Sequence, residues 1–267
     1  MILDGDDYLR RGKVLVTGAS AGIGEITARR LMAYGVSVLA VDRVQPAFQV
    51  DEFIRADLSA EAEIDKVVGA IKGPLAGIVC AAGLGGRDGE MIAKVNYLGL
   101  RALVERAMPL LAPGGSVVSI GSSGGWQFQA RLEDHIKLSE IEGFDAQMAW
   151  IRSHDGLVSA YGYLKEALIV WTMMRAPVFR KAGLRINCVS PGPFQSALLT
   201  GLRETSGEDW YKSLVDRAGP PPPPEDLAPL VHFLLSPESR HINGANIPID
   251  GGLLGYYITT NNGPKRA

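Results

Sequence analysis

The sequence lacks an excess of charge of either sign. It has 27 lysines and arginines against 29 aspartates and glutamates, a formal net charge of -2, and so provides no basic field for a nucleic acid. It also lacks an apolar run long enough to cross a membrane, and its first 13 residues contain no apolar signal-peptide core. We therefore expect a cytoplasmic protein with no nucleic-acid or membrane partner.

Cysteine and histidine are scarce. The chain has two cysteines and four histidines, with no spacing typical of a metal site, so no metal is expected. Cys80 and Cys188 each lie within an apolar, strand-like run, which favours buried reduced thiols over a disulfide.

Apolar strand-like runs alternate with helical patterns along the 267 residues. Strands are predicted at 13–18, 36–42, within 53–59, and at 76–83, 115–122, 184–192 and 244–252. Helices are predicted at 23–35, 61–72, 90–111, 160–183 and 225–236. Because the strands are apolar on both faces, we predict an α/β fold with one Rossmann-like, doubly wound parallel sheet of about seven strands, helices on both faces, in a single domain.

Two segments depart from this alternation. Residues 127–158 are polar with helical spacing and predict two short helices. Residues 193–224 contain sparse apolar residues and end in the proline run of "GPPPPPE" (219–225), a polyproline-like spacer that leads into a helix. The apolar residues of this second segment are too few for a core, and we interpret it as a lid over an apolar site.

The stretch "TGASAGIGE" (17–25) follows the first strand and opens the first helix. Gly18, Gly22 and Gly24 have the spacing G-x-x-x-G-x-G rather than the usual dinucleotide fingerprint G-x-G-x-x-G. A backbone without Cβ atoms can approach a pyrophosphate at a helix N-terminus. The pattern predicts a cofactor turn, and a tight strand–helix turn without ligand is the alternative.

Asp42 ends the second predicted strand, about 20 residues after the glycines, where a carboxylate can accept hydrogen bonds from an adenosine ribose. A carboxylate there repels a 2′-phosphate and favours NAD over NADP, although the neighbouring Arg43 keeps NADP open. The alternative is that Asp42 only caps the strand.

The stretch "SAYGYLKEAL" (159–168) offers two tyrosines and one lysine. On a helix, Tyr161 and Lys165 are i, i+4 neighbours and share a face, whereas Tyr163 points elsewhere. A phenol with an ordinary pKa near 10 is ionised more easily beside an ammonium group, and a phenol so tuned is a good general acid or base. A solvated helix edge is the alternative.

These features resemble the short-chain dehydrogenase/reductase family. The matching motifs occur in family order over nearly the whole chain: "TGASAGIG" (17–24), "ADLS" (56–59), "CAAG" (80–83), "KVNYLG" (94–99), "GGSVVSIGSSGG" (114–125), "AYGYLK" (160–165), "INCVSPGPFQSAL" (186–198) and "PIDGG" (248–252). With its long segment before Tyr161 and the stretches "CAAGLG" (80–85) and "KVNYLG" (94–99), the chain looks most like the bacterial 3α-hydroxysteroid dehydrogenases/carbonyl reductases of this family. The resemblance implies a dinucleotide-binding catalytic domain over residues 1–267.

The resemblance also implies site residues. Tyr161 would be the general acid/base, Lys165 would hold the nicotinamide ribose and favour the ionised phenol, and Asn96 would hold a water on a proton path. Ser122, chosen over Ser123 by alignment of the preceding strand, would hydrogen-bond the substrate oxygen. The implied cofactor contacts are Gly18, Ser20, Gly22, Ile23, Gly24, Asp42, Asp57, Leu58, Ala81, Gly83, Tyr161, Lys165, Phe194 and Ser196.

The chain departs from the family pattern at two places. Cys80 and Ala81 replace two asparagines, which puts polar bracing between strands in doubt. The spacing from Ser122 to Tyr161 is longer than usual because of a helical insertion at 127–158. Helices flanking this point pair across subunits in members of ordinary length, so we expect a homo-oligomer, a dimer rather than a tetramer. A solvated excursion with no role in assembly is the alternative.

The resulting functional expectation is an NAD-dependent enzyme that interconverts a secondary alcohol and a ketone. Trp126, Phe194, Leu198 and Leu199 at the lid favour a small apolar cyclic substrate such as a 3α-hydroxysteroid. Alternatives are a dehydrogenase for another lipophilic (terpenoid or aryl) alcohol and a non-catalytic nucleotide-binding regulator. An enoyl reductase of the same fold is disfavoured by the four-residue step from Tyr161 to Lys165.

Overall fold

The computed structural model describes residues 9, 12–154, 156, 157 and 160–260, except for the side chains of residues 197, 198, 202, 205 and 206. Among the helices so described, none combines the length and apolar character that a membrane crossing requires. The same residues contain no cluster of three or more His, Cys, Asp or Glu side chains that could hold a metal ion.

A seven-stranded parallel sheet forms the centre of the molecule, in the order β3-β2-β1-β4-β5-β6-β7. The strands are β1 (Lys13–Thr17), β2 (Ser37–Asp42), β3 (Glu52–Arg55), β4 (Leu75–Cys80), β5 (Leu111–Ile120), β6 (Arg185–Pro191) and β7 (Asn246–Ile249). The order reverses between β1 and β4, and the crevice outside the carboxyl ends of strands at such a point is where ligands bind in open α/β sheets. The predicted fold class is confirmed.

Eleven α-helices lie among the described residues. They are α1 (Gly22–Ala33), α2 (Glu61–Ala70), α3 (Gly89–Ala93), α4 (Leu100–Ala107), α5 (Leu132–Glu140), α6 (Phe144–Ser153), α7 (Ala160–Lys181), α8 (Ala197–Ser206), α9 (Glu208–Ala218), α10 (Ala228–Leu235) and α11 (Leu253–Thr260). Helices α5 and α6 occupy the segment in which the sequence predicts two short helices.

Two apolar cores cover the two faces of the sheet. In β1, Leu15 points into the core shared with α2, α4 and α7, whereas Val14 and Val16 point into the core shared with α1 and α10. Each such side chain stabilises the fold by roughly 1.5–3 kcal/mol on full burial. A third, small cluster joins α9 to α11 through Leu214, Leu253 and Tyr257.

The structure corrects three details of the sequence prediction. The helix expected at 90–111 is interrupted by a π-helical turn, Lys94–Gly99, which ends where Gly99 approaches Leu58 so closely that a Cβ would be 2.1 Å from the Leu58 carbonyl oxygen. Strand β5 ends at Ile120, so Ser122 lies in the following loop. Segment 193–224 folds into α8 and α9, and α11 follows the last strand.

Candidate active site

In the glycine turn after β1, two glycines lie so close to neighbouring backbone that neither position has room for a side chain. Gly18 has a φ of 67°, and a Cβ there would lie 2.8 Å from the backbone of Ala82. A Cβ on Gly24 would lie 2.1 Å from the Gly18 carbonyl oxygen. The turn therefore holds β1, the end of β4 and the N-terminus of α1 at close quarters, and the first N–H groups of α1 are available to an anion.

The Asp42 carboxylate lies at the end of β2 beside this turn. It accepts hydrogen bonds from the Ser20 amide (3.0 Å), the Ser20 hydroxyl (2.7 Å) and the Val44 amide (3.1 Å). These three bonds fix the orientation of the carboxylate toward the cavity that it lines. The guanidinium of Arg43 lies 4.0 Å from the Asp57 carboxylate instead.

Asp57 and Leu58 follow β3 and line the same cavity. Burial acts to raise the pKa of Asp57, but hydrogen bonds from Ser59 and the charge of Arg43 outweigh it and hold that pKa below the ordinary value. Asp57 is therefore ionised at neutral pH. The guanidinium of Arg43 lies beside this carboxylate, so the positive charge of Arg43 is partly neutralised next to the cavity.

The end of β4 is braced by polar groups other than the two missing asparagines. The Thr17 hydroxyl accepts hydrogen bonds from the amides of Ala81 (3.1 Å) and Ala82 (3.0 Å). The buried Asn96 side chain accepts from the Leu84 amide (2.7 Å) and donates to the Leu84 carbonyl (2.9 Å). The loop after Cys80 is thus held in place, and the water-holding role of Asn96 stays a prediction.

Three adjoining cavities follow the carboxyl ends of the strands. The first, about 270 Å³, and the second, about 340 Å³, have Ala81, Gly83 and Leu84 in common. The third, about 420 Å³, shares Ser122, Tyr161, Gly192, Phe194 and Ser196 with the second. Together they form one continuous depression from Asp42 to the helices α9 and α11.

This depression brings together most of the predicted site residues. The first cavity is lined by Gly18, Ser20, Asp42, Asp57, Leu58, Ala81 and Gly83. The second is lined by Gly22, Ile23, Ser122, Tyr161, Lys165, Phe194 and Ser196, as well as Ala81 and Gly83. Gly24 is buried within the turn, and Asn96 is buried behind the loop that follows β4; neither is among the residues that line the three cavities.

Tyr161 and Lys165 lie on one face of α7. The Lys165 ammonium donates to the Ile120 carbonyl at the end of β5 (2.6 Å) and lies 5.8 Å from the centre of the Tyr161 ring. Its side chain is only 5% exposed, so the charge is held in a largely dry position between the cofactor turn and the tyrosine. The half-buried Tyr161 lines both the second and the third cavity.

Ser122 lies near Tyr161, because both side chains approach Gly124. Its hydroxyl oxygen accepts a hydrogen bond from the Gly124 amide (3.0 Å). A Cβ on Gly124 would lie 3.4 Å from that oxygen and 3.5 Å from Cε1 of Tyr161, so both side chains flank the same small residue. Ser122 lines the second and third cavities, whereas Ser123 lines the third.

Tyr163 lies on the opposite side of α7. It is 2% exposed, and its ring packs edge-on against His135 of α5 at 4.7 Å between ring centres. Burial raises the pKa of Tyr163 to about 12. The helical spacing argument for Tyr161 therefore agrees with the structure, in which Tyr163 is outside the cavity.

The third cavity has a mainly apolar wall from three parts of the chain. Its large apolar side chains are Trp126, Phe194, Leu199, Trp210, Leu214, Leu253 and Tyr257. The rings of Trp126 and Tyr257 pack 5.2 Å apart. The Leu198 side chain, expected in the lid, lies outside the described residues.

Trp210 belongs to segment 193–224, which we interpreted as a lid, whereas Leu214, Arg217, Leu253 and Tyr257 were not predicted from the sequence. Trp210, Leu214 and Arg217 are spaced i, i+4, i+7 along α9, and Leu253 and Tyr257 are spaced i, i+4 along α11. Such spacing predicts that the side chains share one face of each helix, but it does not show that this face lines a cavity.

The switch point of the sheet, the glycine turn and the elongated cavity that ends at a tyrosine–lysine pair define a dinucleotide-binding oxidoreductase. Two family models match the chain: "short chain dehydrogenase" over residues 12–132 and "Enoyl-(Acyl carrier protein) reductase" over residues 146–254. A coniferyl-alcohol dehydrogenase from Pseudomonas sp. strain HR199 is 38% identical over 94% of this chain and 99% of its own. The chain belongs to the short-chain dehydrogenase/reductase family.

Two further relatives are informative. A 3-alpha-hydroxysteroid dehydrogenase/carbonyl reductase of Comamonas testosteroni is 29% identical over 90% of this chain and 95% of its own. The crystal structure of a 3-alpha-hydroxysteroid dehydrogenase from Pseudomonas sp. B-0831, complexed with NADH, superposes with a TM-score of 0.77 at 24% identity, covering 94% of this chain and 100% of the other. The protein is an oxidoreductase of this family that acts on alcohols or ketones and uses a nicotinamide cofactor.

Proposed function

We propose that the protein is an NAD(H)-dependent dehydrogenase for a lipophilic alcohol that contains a ring, with an aryl alcohol as the favoured class. The observation that carries the proposal is the third cavity. Its wall is mainly aromatic and aliphatic, and it opens onto Tyr161 and Ser122. Aromatic and apolar walls with a few placed polar groups are typical of sites for apolar ligands. The relative at 38% identity, named for coniferyl alcohol, supports the aryl class.

In the proposed mechanism, the substrate oxygen lies between Tyr161 and Ser122. The Ser122 oxygen already accepts from the Gly124 amide, so its own hydroxyl proton is free to be donated to that oxygen. Tyr161 takes the hydroxyl proton when the alcohol is oxidised and returns it to the carbonyl oxygen when the ketone or aldehyde is reduced. NAD(H), when bound, supplies the hydride chemistry.

Lys165 and Asn96 support this exchange in different ways. Lys165 has three N–H donors and gives one to the Ile120 carbonyl, which leaves two for the ribose of the cofactor and the oxygen of Tyr161. Asn96 holds the Gly83–Leu84 backbone near the ammonium group: a Cβ on Gly83 would be 3.7 Å from the Asn96 oxygen and 4.0 Å from the Lys165 nitrogen.

The role proposed for Ser122 is tested with Ser122→Ala, for which we expect a large loss of kcat. Ser123→Ala is the matched control.

The preference for NAD is proposed from Asp42. Its carboxylate is held toward the first cavity by Ser20 and Val44, where it would repel the 2′-phosphate of NADP. Arg43 also lines this cavity, but its guanidinium lies 4.0 Å from the Asp57 carboxylate, which partly neutralises its charge. The test compares kcat/KM for NADH and NADPH in the native protein and in Asp42→Ala. The proposal expects a strong preference for NADH that falls in the variant, and a native preference for NADPH would overturn it.

The substrate proposal is tested with a panel followed by NADH absorbance. The panel contains aryl aldehydes and ketones, steroid ketones, small polar ketones and an α,β-unsaturated thioester. The proposal expects turnover of ring-containing carbonyls and little turnover of polar ones. Turnover restricted to small polar ketones would overturn it, and reduction of the carbon–carbon double bond would favour the enoyl reductase named by one family model.

A 3α-hydroxysteroid is the second candidate substrate. The relative of Comamonas testosteroni that carries this name supports it, as does the third cavity of about 420 Å³, which is lined by apolar groups from three segments. The same panel distinguishes the two candidates: a higher kcat/KM for a 3-keto steroid than for an aryl ketone would favour the steroid, and the reverse would favour the aryl alcohol.

A dimer is the assembly that we propose. Within one chain, α5 packs on α7, and the α7 residues Tyr163, Glu166 and Ala167 are buried. This side of α7 is thus covered by segment 127–158 and cannot pair with α7 of a second subunit without displacement of α5. Sedimentation equilibrium tests the proposal, which expects a dimer mass; a tetramer mass would contradict it.

A further inference from the structure

The apolar wall of the third cavity contains a charge that the proposed chemistry does not use. Among the described residues that line this cavity, Arg217 of α9 alone has a charged side chain. It does not line the second cavity, so it stands on the part of the wall away from the junction occupied by Tyr161 and Ser122. A cation at this place faces the end of the substrate that does not react.

Arg217 is held in position by its surroundings. Its Nε donates to the Ser213 carbonyl one turn earlier (2.7 Å), and its guanidinium lies 5.8 Å from the centre of the Tyr257 ring. The end of α9 packs closely on the loop after β7, because a Cβ on Gly251, which has a φ of 65°, would lie 2.3 Å from the Ala218 carbonyl oxygen. These contacts place the guanidinium at the cavity wall.

The remaining N–H groups of Arg217 are available to a ligand. An arginine has five N–H donors, and the bond to Ser213 uses one of them. None of the ion pairs formed between described residues includes Arg217. A half-buried guanidinium without a carboxylate partner is costly beside apolar groups unless a ligand oxygen pairs with it.

We propose that Arg217 is a specificity-determining residue that binds an oxygen acceptor at the end of the substrate remote from the reacting carbon. The inference rests on the proposed function and narrows it. The substrate class becomes a ring-containing alcohol or carbonyl compound with a distal carboxylate, phenolic or ether oxygen. Charged acceptors gain most, because a hydrogen bond between charged groups is about twice as strong as a neutral one.

The test uses three ketones that differ only at the distal position: acetophenone, 4-methoxyacetophenone and 4-acetylbenzoate. Native protein, Arg217→Leu and Arg217→Lys are compared by kcat/KM with NADH. Since the substituent changes the intrinsic reactivity of the carbonyl equally for every variant, the ratio between ketones within each variant reports recognition. Arg203→Leu, which removes an exposed lid arginine paired with Glu208, is the matched control.

For Arg217→Leu, we expect kcat/KM for 4-acetylbenzoate to fall about ten- to hundred-fold and that for 4-methoxyacetophenone about three- to ten-fold. Acetophenone itself should change less than about two-fold. Arg217→Lys keeps the charge and should recover part of the activity toward the carboxylate, whereas Arg203→Leu should leave all three ratios unchanged. An equal loss for all three ketones in Arg217→Leu would indicate a structural role and overturn the inference.

A binding measurement separates failure of this inference from failure of the proposed function. Trp126 and Trp210 line the cavity, so tryptophan fluorescence reports the dissociation constant of each ketone without turnover. If the native protein binds all three ketones and Arg217→Leu binds them with unchanged ratios, the inference fails alone. If the native protein neither binds nor reduces any of them, the proposed function fails and the inference falls with it.

Discussion

Helix α7 has two tyrosines, two positions apart, on sides that differ in solvent, charge and neighbours. Tyr161 is half-buried on the cavity side, near an ammonium group and a serine hydroxyl. Tyr163 is buried on the other side, against His135 and below Arg131 of segment 127–158. Of the two phenol groups, that of Tyr161 is therefore accessible to a substrate oxygen, whereas that of Tyr163 only packs against its neighbours.

The charged groups of the two sides also differ in their partners. On the cavity side, Lys165 donates to a backbone carbonyl, and none of the ion pairs between described residues includes it. Its positive charge therefore acts on the cavity. On the other side, Glu166 pairs with His135 (3.0 Å) and Arg131 (3.3 Å). Helix α7 thus presents the unpaired charge of Lys165 on the side where chemistry is proposed and the paired charge of Glu166 on the side that holds segment 127–158.

The largest effect is expected from Tyr161→Phe. Loss of the hydroxyl removes the proposed proton donor and acceptor, and general acid–base catalysis contributes about 10²- to 10⁴-fold. We expect kcat to fall by that factor while the dissociation constant for NADH, measured by fluorescence, changes little. Activity near that of the native protein would show that Tyr161 is not the catalytic residue.

Glu166→Ala tests the opposite side of the same turn. Removal of one partner from a buried ion pair costs about 3–5 kcal/mol, and the partial exposure of Arg131 places the expected loss at the lower end. Thermal unfolding should show a midpoint lower by several degrees. The specific activity of the folded variant at low temperature should stay within a few-fold of the native value, and a loss like that of Tyr161→Phe would erase the distinction between the two sides.

Tyr163→Phe should have a small effect at neutral pH. The Tyr163 hydroxyl is buried and makes no hydrogen bond of ordinary geometry to a described residue, and the Trp150 side chain is a polar group that lies near it. Its removal therefore costs little. We expect most of the activity to remain and the unfolding midpoint to change little. A large loss of kcat would mean that Tyr163 takes part in the chemistry after all.

The effect of the same variant on stability is expected to depend on pH. Burial raises the pKa of Tyr163 to about 12, whereas a phenol in the unfolded chain has a pKa of about 10. The neutral phenol therefore contributes stability that is fully present below pH 10 and is lost as the pH rises toward 12. Urea unfolding at several pH values should show native stability falling more steeply in this range than that of Tyr163→Phe; parallel curves would contradict the assignment.

The sheet and the tyrosine–lysine pair were within reach of sequence reasoning because local rules decide them. Strands such as β1 and β4 are apolar on both faces, which marks a covered parallel sheet. The choice of Tyr161 over Tyr163 needs only the geometry of a helix. The turn at Gly18 and the carboxylate Asp42 follow from the spacing that a nucleotide requires.

Other features depended on tertiary contacts and were missed. The π-helical turn at Lys94–Gly99 and the close approach of Gly99 to Leu58 are features that no local pattern reveals. The bracing by Thr17 replaces a motif that the sequence lacks, so only the folded chain identifies it. Helices α9 and α11 have few apolar residues, and these line a cavity instead of the main cores. The apolar pattern in their sequence is therefore weak.

The small cluster between α9 and α11 has a consequence for how a substrate reaches the cavity. Leu214, Leu253 and Tyr257 form a cluster separate from both main cores. Separation of the two helices would expose this cluster alone, and such local opening requires less free energy than unfolding of the sheet. We therefore expect the amide protons of α9 to exchange with solvent faster than those of β1 and β4, which would give the substrate a passage while the sheet keeps its shape.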